Sequence, residues 1–442
     1  MDVKGKVVTV IGLGKSGGSA ARLLCEKGAK VKISEKEDIK EIRDDFLKNL
    51  EIEWGRHTKG FVLRSDLIVK SPGVPRDIEV LIEARHAGIP IISEIELAYS
   101  YVANQKIIAI TGTNGKTTVT HLIGEILKRD GKRVKVCGNI GLPFSEIIPG
   151  LKAQDLIVLE VSSFQLEDII DFRPYISVFL NLTRDHLDRY SNMEEYRHAK
   201  IKIFKNQTTD DFAVLNVDDP EISGINKILP KIIPFSKHNL EKGVCVKSGK
   251  IFSNDRVVCG IGDLRIPGLH NLENVLASIA VNTILDVDFR VLRETISKFQ
   301  GLEHRLEEVS EIHGIKFIND SKSTNISSLR MALDCTSAPI ILIAGGKDKG
   351  FDYSELKDLM RKKVRLAVLF GEVRHKMACD LASAVSIEKV LDLREATTLA
   401  YEKAKKGDCI LLSPGTSSFD QFRDFEERGR TFKELVAKIG MQ

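Results

Sequence analysis

The sequence has few cysteines and lacks the spacings that sulfur chemistry requires. Its seven cysteines are widely separated, and no Cys-x-x-Cys pair is present to hold zinc or exchange disulfides. The chain also lacks any apolar run approaching the ~18 residues of a membrane span. We therefore expect a cytoplasmic protein with reduced, mostly buried thiols and no membrane insertion.

A strong charge of either sign is absent as well. Lys and Arg number 66 against 62 for Asp and Glu, and the net charge of +4 is spread along the chain without a concentrated basic tract. This distribution gives no electrostatic footprint for nucleic acid, so no nucleic-acid partner is expected. The sequence contains no repeat or low-complexity tract, and its 442 residues suffice for about three domains of roughly 150 residues each.

Strand-like and helix-like segments alternate along most of the chain, which is typical of α/β domains with parallel sheets. We predict three domains: 1–94, Rossmann-like; 95–301, a central phosphate-loop domain with a mostly parallel sheet; and 302–442, again Rossmann-like. The middle of the second, about 212–267, is richer in short strand and turn signals. Predicted strands include Val7–Ile11, Val31–Ser34, Asp66–Val69, Pro90–Ile92, Leu156–Glu160, Ile176–Leu180, Lys316–Asn319, Ile340–Ala344, Leu366–Phe370 and Cys409–Ser413.

The most informative motif is a glycine loop that follows an apolar strand at residues 107–110. Its glycines let backbone N–H groups approach phosphates, Lys116 supplies a positive charge, and Thr117 offers a hydroxyl to magnesium. The strict phosphate-loop pattern requires glycine at position 110, where this chain has Ile110. The loop predicts binding of a nucleoside triphosphate, ATP or GTP, by Gly112, Thr113, Asn114, Gly115, Lys116, Thr117 and Thr118.

A second glycine loop lies near the N-terminus. The segment from Gly12 to Gly17 matches GxGxxG between a strand and a helix, and Glu35 closes the next strand where a ribose-binding acid belongs. Alone, this pattern indicates a nicotinamide oxidoreductase. The same turn can hold the diphosphate of another nucleotide or pack a helix closely on a sheet, and redox chemistry would leave the phosphate loop without a purpose.

Polar side chains follow two apolar strands of the central domain. Glu160 ends one strand, where phosphate-loop enzymes place a metal-holding acid; a strand-end acid facing water is the alternative. His186 lies in a cluster of acids and bases, 181–189, after another strand, and we favour a functional role for it because ligands collect at that edge of an open sheet. Lys200 lies in a predicted helix, 193–204, and sequence physics alone predicts an ordinary surface lysine.

Two segments of the third domain suit a phosphate ligand. The pair 304–305 and the run 319–325 supply cations and hydroxyls, although helix capping by Asp320 or Ser321 is a competing account. A small-residue loop at 413–422 is consistent with the floor of a pocket.

Together these motifs resemble the Mur ligases, ATP-dependent enzymes that add amino acids to the peptidoglycan precursor. The resemblance covers the whole chain and rests on the loop TGTNGKT, on Asn139 within 138–141, on Asp185-His186-Leu187-Asp188, and on 319–322. Segments 160–167 and 418–429 resemble the branch that adds D-glutamate to UDP-N-acetylmuramoyl-L-alanine. The resemblance implies these two substrates, ATP with two Mg²⁺ ions, an acyl-phosphate intermediate, and a monomer.

The resemblance also implies residue roles in the first two domains. Thr117 and Glu160 would hold one magnesium ion and His186 would help hold a second, while Lys200 would react with CO₂ to a carbamate and become an anionic metal ligand. The catalytic residues would be Lys116, Lys322, His186 and Lys200. The UDP-substrate residues would be Gly14, Lys15, Ser16, Glu35, Ser71, Pro72, Gly73, Asn139 and His186.

Other implied roles belong to the ATP and amino-acid sites. Asn271 resembles the adenine contact, and Arg305 and Asp320 resemble residues that reach the γ-phosphate and ribose. The D-glutamate residues would be Thr324, Lys349, Ser418 and Phe425, with Lys347 as an alternative to Lys349. Because ATP and the amino acid both require the third domain, we expect it to swing closed before chemistry.

Two further alternatives stay open at the level of sequence. Another Mur-type ligase or a folylpolyglutamate-type ligase would share the phosphate loop but use a different acceptor. A mechanical or regulatory ATPase would hydrolyse nucleotide without any acceptor.

Overall fold

The computed structural model describes residues 1–38, 45–186, 189–266 and 268–441, without the side chains of Leu269 and His270. Leu187 and Asp188 of the predicted polar cluster, and Pro267, lie outside the described residues. The chain divides into two compact units, Met1–Leu264 with Leu272–Lys298, and Arg265–Asn271 with Phe299–Gln442. No helix within the described ranges is long and apolar enough to cross a membrane.

The N-terminal part of the first unit is a parallel sheet in the order β3-β2-β1-β4-β5. Its strands are β1 (Val7–Ile11), β2 (Lys30–Ser34), β3 (Glu51–Glu53), β4 (Leu67–Lys70) and β5 (Ile91–Ser93). Its helices are α1 (Lys15–Glu26), α2 (Lys59–Val62), α3 (Glu79–His86) and α4 (Glu94–Tyr99). The chain continues in opposite directions on either side of β1, which opens a crevice at the carboxyl ends of the strands. The predicted Rossmann-like fold is confirmed.

The central sheet has the order β14-β13-β12-β11-β10-β9-β6-β8-β7 and is parallel from β7 to β12. Its strands are β6 (Ile107–Thr111), β7 (Val134–Gly138), β8 (Leu156–Glu160), β9 (Ile176–Phe179), β10 (Phe212–Asn216), β11 (Lys231–Ser236), β12 (Val244–Lys247), β13 (Lys250–Ser253) and β14 (Arg256–Gly260). The helices are α5 (Lys116–Arg129), α6 (Phe144–Ile147), α7 (Ser163–Leu166), α8 (Met193–Ile201), α9 (Pro220–Ser223), α10 (Leu269–Ile284) and α11 (Phe289–Lys298). The mostly parallel central sheet is therefore confirmed.

The two sheets of the first unit pack as one body. One cluster of buried side chains includes Val8 and Ile33 from the N-terminal sheet together with Ile157 and Phe179 from the central sheet. The carboxylate of Glu96, on α4, accepts hydrogen bonds from three successive backbone N–H groups at 170–172, over 2.9, 3.0 and 3.0 Å. This packing holds the N-terminal glycine loop at a fixed place relative to the phosphate loop.

The second unit contains a sheet in the order β15-β16-β20-β17-β18-β19, parallel except for the β15–β16 pair. Its strands are β15 (Glu307–Ile312), β16 (Ile315–Asn319), β17 (Ile340–Gly345), β18 (Val364–Phe370), β19 (Ser386–Lys389) and β20 (Cys409–Leu412). The helices are α12 (Ile326–Cys335), α13 (Lys357–Lys363), α14 (Arg374–Leu381), α15 (Leu393–Lys403) and α16 (Phe425–Ile439). Loops that carry the predicted amino-acid residues follow the carboxyl ends of its strands.

Candidate functional site

The phosphate loop forms a backbone cradle between β6 and α5. Gly112 has φ 151° and Gly115 has φ 86°, conformations that favour glycine. A Cβ on Gly115 would lie 2.2 Å from the side-chain oxygen of Asn274. Because α5 begins at Lys116, its N-terminal N–H groups and the positive end of its dipole face the loop, which makes it suited to an anion.

Lys116 and Asn181 shape the loop from two sides. The Lys116 Nζ donates to the carbonyl oxygens of Gly112 at 3.0 Å and Thr113 at 2.9 Å. After β9, the Asn181 side chain accepts from the N–H of Asn114 at 2.8 Å and donates back to its carbonyl at 3.1 Å. The ammonium group is thereby held at the cradle, where it can meet phosphate oxygens.

Glu160 supplies a buried carboxylate beside this loop. Only 1% of its surface is exposed, so the alternative of an acid facing water is wrong. Its Oε1 accepts from Asn139 Nδ2 at 3.1 Å, whereas its buried Oε2 has no hydrogen-bond partner among the described residues. Burying a carboxylate oxygen without a partner costs free energy, and a bound cation would offset that cost.

A conventional metal cluster does not accompany Glu160. Among the described residues, no group of three His, Cys, Asp or Glu side chains is arranged to hold a metal ion. The predicted set instead combines Glu160 and His186 with Thr117 and a modified Lys200. The carboxylate, hydroxyl and carbamate groups of this set are oxygen donors of the kind that Mg²⁺ prefers, whereas His186 would supply a ring nitrogen.

Lys200 is buried, so the expectation of a surface lysine is wrong. It is 1% exposed, and its Nζ donates to the carbonyl oxygen of Gly112 at 2.8 Å and lies 4.8 Å from the ring centroid of Tyr196. Burial, and next the charge of Lys116, lower the pKa of Lys200 well below its usual value. A neutral amine is the form that attacks an electrophile such as CO₂.

A cavity of about 880 Å³ follows the carboxyl ends of the N-terminal strands. The Glu35 carboxylate, which lines it, accepts from the backbone N–H groups of Leu13 and Glu37, and Ser71 Oγ donates to the Gly12 carbonyl at 2.7 Å. These bonds join the loops that surround the cavity. Its lining includes the predicted UDP-substrate residues Gly14, Lys15, Ser16, Glu35, Ser71, Pro72, Gly73 and Asn139.

His186, the remaining predicted UDP-substrate residue, lines a second cavity of about 950 Å³ in the same unit. The two cavities share Gly73 and Pro75. The His186 ring lies 4.7 Å from that of Phe164, centroid to centroid, and its backbone φ is 55°. Arg189 also lines this cavity, and the sequence reasoning assigned it no role.

In the second unit, Asp320 lies at the end of β16 and is buried. Its carboxylate accepts from Ser413 Oγ at 2.8 Å and from the N–H of Leu306 at 3.2 Å. Burial raises the pKa of Asp320 to about 7, while the nearby charge of Arg305 acts in the opposite direction. The predicted nucleotide residues Arg305 and Asp320 are thus brought together.

The predicted amino-acid residues lie on loops of the same unit, except Phe425, which is the first residue of α16. Lys322 Nζ lies 5.5 Å from the ring centroid of Phe425, and Ser418 is buried. Lys347 and Lys349 are both exposed, so the choice between them stays open. Thr324 is half-buried in the loop after β16, and Asn271 lies on α10.

Arg428 is a buried residue that the sequence reasoning missed. Its guanidinium donates to Ser321 Oγ at 3.0 Å and to the carbonyl oxygens of Ser321 at 2.8 Å and Thr416 at 3.2 Å, and burial lowers its pKa to about 9. These bonds connect the loops after β16 and β20. Its position on the apolar face of α16, four residues before the buried Phe432, was the available signal.

The chain matches models of three Mur ligase domains in sequence order. They are the MurD-like N-terminal domain at 6–93, the Mur ligase middle domain at 110–282, and the Mur ligase glutamate ligase domain at 304–415.

Individual proteins agree with these matches. The UDP-N-acetylmuramoylalanine–D-glutamate ligase of Alkaliphilus oremlandii is 44% identical over 453 residues, covering 99% of this chain and 100% of that protein. The enzyme of the same name from Geotalea daltonii is 41% identical over 448 residues, with 99% of both covered. The crystal structure of UDP-N-acetylmuramate–alanine ligase from Thermotoga maritima shares the fold, with a TM-score of 0.61 at 20% identity over 98% of this chain and 100% of that one.

The resemblance inferred from the motifs is therefore confirmed along the whole sequence. With its domains matched in order and relatives above 40% identity from end to end, the chain belongs to the Mur ligase family, among the UDP-N-acetylmuramoylalanine–D-glutamate ligases.

Proposed function

We propose that this protein catalyses the ATP-dependent addition of D-glutamate to UDP-N-acetylmuramoyl-L-alanine, a step in peptidoglycan precursor synthesis. The observation that carries this proposal is the bond between Asn139 and Glu160. Asn139 lines the cavity of about 880 Å³ after the N-terminal strands, which we call the nucleotide-sugar cavity. Glu160 carries the unpartnered oxygen beside the phosphate loop. A carboxylate at the end of a bound UDP-sugar can therefore reach the phosphate site.

The reaction needs phosphorylation because the leaving group of a free carboxylate would be oxide. A carboxylate oxygen of L-alanine attacks the γ-phosphorus of ATP, which releases ADP and forms an acyl phosphate. The amine of D-glutamate then attacks the acyl carbon, loses a proton, and expels phosphate to leave an amide. Lys116, Lys322 and Arg305 offset the negative charge that develops on the phosphoryl oxygens.

The proposed residue roles are those that the family resemblance implies. Asn271, Arg305 and Asp320 bind ATP together with the phosphate loop, and the D-glutamate residues are Thr324, Lys349, Ser418 and Phe425. Thr117, Glu160, His186 and carbamylated Lys200 would hold two Mg²⁺ ions, whose charge would stabilise the phosphate oxygens. Support comes from the buried Lys200 amine and the unpartnered Glu160 oxygen.

The proposal extends to organisation and location. We assign the UDP-substrate domain to 1–94, the ATP domain to 95–301 and the amino-acid domain to 302–442. The protein acts as a cytoplasmic monomer, in keeping with the cytoplasmic supply of ATP and UDP-sugars that the reaction consumes.

Phosphate release tests the proposed reaction. Protein, ATP and Mg²⁺ are incubated with UDP-N-acetylmuramoyl-L-alanine and either D-glutamate or L-glutamate, and each component is omitted in turn. We expect phosphate release only when UDP-N-acetylmuramoyl-L-alanine and D-glutamate are both present, and none when L-glutamate replaces D-glutamate. Release without an acceptor would favour an ATPase, and release with another amino acid in place of D-glutamate would favour a sibling ligase.

A further inference from the structure

Arg189 joins the segment that carries His186 to the substrate loop after β4. Its guanidinium donates to the carbonyl oxygens of Pro72 at 3.0 Å and Val74 at 2.9 Å. The same group lies 4.2 Å from the ring centroid of Phe164, on α7. One side chain thus connects the N-terminal sheet with two segments of the central domain.

Glu167 holds Arg189 in this position. The Arg189 guanidinium lies 2.8 Å from Glu167 Oε2, and Lys70 Nζ lies 3.1 Å from the same oxygen. Tyr190 donates to Glu167 Oε1 at 2.9 Å. Glu167 is 5% exposed and Lys70 is 1% exposed, so solvent and salt screen the attraction between these charges only weakly.

The loop that Arg189 holds lines two cavities of the first unit, those of about 880 and 950 Å³. Ser71 to Pro75 border the nucleotide-sugar cavity, and Gly73 and Pro75 also border the cavity that contains His186. At its start, Ser71 bonds to Gly12 of the glycine loop. In the proposed function, this loop lies between the glycine loop, at the diphosphate end of a UDP-sugar, and the cavity that contains His186. Arg189 bonds to it on either side of Gly73, which lines both cavities.

On the basis of the proposed function, we propose that Arg189 is a positioning residue that sets where the substrate carboxylate meets the phosphate site. It acts through the Pro72 and Val74 carbonyls and requires no contact with substrate. A planar guanidinium makes these bonds and the Glu167 pair at once, whereas a lysine ammonium offers no such fork. Reacting groups misplaced by about 1 Å lose rate by up to roughly 100-fold.

The test compares Arg189→Ala and Arg189→Lys with the wild type. We expect kcat to fall about 10- to 100-fold and the KM for UDP-N-acetylmuramoyl-L-alanine to rise, with the KM for ATP unchanged. Added guanidinium chloride at low concentration should restore part of the kcat of Arg189→Ala. The kcat of Arg189→Lys should stay below that of the rescued Arg189→Ala variant. Calorimetric titration of UDP-N-acetylmuramoyl-L-alanine without ATP should show weakened binding to both variants.

Arg173→Ala is the matched control. Arg173 also forms an ion pair in the first unit, 2.8 Å from Asp211, but lines neither cavity. We expect this variant to keep wild-type KM values even where its melting temperature falls. A change in the Arg189 variants confined to melting temperature, or equal changes in every KM, would mean a structural role and overturn the inference. If Arg189→Ala unfolds, Arg189→Lys and its binding titration decide the matter.

The failure of the inference and that of the proposed function are distinguishable. If the wild type binds and converts UDP-N-acetylmuramoyl-L-alanine and Arg189→Ala has the same kcat, KM and binding as the wild type, only the role of Arg189 is contradicted. A wild-type protein that neither binds nor converts this substrate contradicts both.

Discussion

Lys200 shows how much a single residue's environment decides its chemistry. An ammonium group is costly to bury. The Lys200 Nζ donates to the carbonyl oxygen of Gly112, and the positive charge of Lys116 lies close enough to repel a charged Lys200. The amine is therefore poised to lose its proton. In the proposed role, a carbamate on Lys200 would replace this repulsion with attraction for a Mg²⁺ ion.

Replacement of Lys200 provides a direct prediction. Lys200→Ala should lose most of the phosphate-release activity, since the anionic ligand cannot form, and added acetate or formate should partly restore it. Lys205→Ala, at an exposed lysine five residues away, is the control and should retain activity. Wild-type activity in Lys200→Ala would rule out the carbamate role.

Asp320 gives a prediction for pH. Burial raises its folded-state pKa from 3.8 to about 7, so the folded protein retains a proton that the unfolded chain releases between those values. The stability that Asp320 contributes is complete below pH 4 and is lost as the pH rises towards 7. Asp320→Asn should flatten the dependence of melting temperature on pH in this window. Parallel curves for variant and wild type would contradict the shift.

At the scale of elements, α4 anchors the N-terminal sheet to the central one. The three N–H groups that bond to Glu96 would each lose a charged acceptor in Glu96→Gln. We expect the free energy of unfolding to fall by about 2–3 kcal/mol in denaturant titrations. Glu79→Gln, which alters an exposed ion pair with Lys59, should change it by less than about 1 kcal/mol. Equal effects of the two changes would contradict the anchoring role.

The sequence predicted the buried strands and the edge strand β5, but it missed two other edge strands. Val7–Ile11 and Leu156–Glu160 were predicted with the bounds observed, because continuous apolar runs are typical of parallel strands covered on both faces. Strands β3 and β19 were missed. They are short, contain charged residues such as Glu51 and Glu388, and lie at sheet edges, so they carry little apolar signal.

The same division holds for the candidate site. Local motifs predicted the phosphate loop and the glycine loop, because each is a contiguous segment whose spacing carries the chemistry. Arg189 and Arg428 could not be found in this way, since key partners are distant in the sequence. Ser321 is 107 residues from Arg428, and the Val74 and Pro72 carbonyls are 115 and 117 residues from Arg189. Burial of Lys200 likewise depends on Gly112, 88 residues away.

At the scale of the whole molecule, the residues proposed to bind ATP are divided between the two compact units. The phosphate loop belongs to the first unit, and Arg305 and Asp320 belong to the second. We predict that saturating ATP analogue, UDP-N-acetylmuramoyl-L-alanine and Mg²⁺ reduce the radius of gyration in X-ray scattering as the units close. Identical dimensions with and without ligands would contradict closure.

In the proposed reaction, the γ-phosphate of ATP is transferred to the substrate carboxylate. The most direct test labels the L-alanine carboxylate of UDP-N-acetylmuramoyl-L-alanine with ¹⁸O and analyses the released phosphate by mass spectrometry after turnover with D-glutamate. If an acyl phosphate forms, one labelled oxygen leaves with each phosphate when the amine attacks. Phosphate that carries no label, with the displaced carboxylate ¹⁸O recovered in water instead, would contradict the transfer of phosphate to the carboxylate.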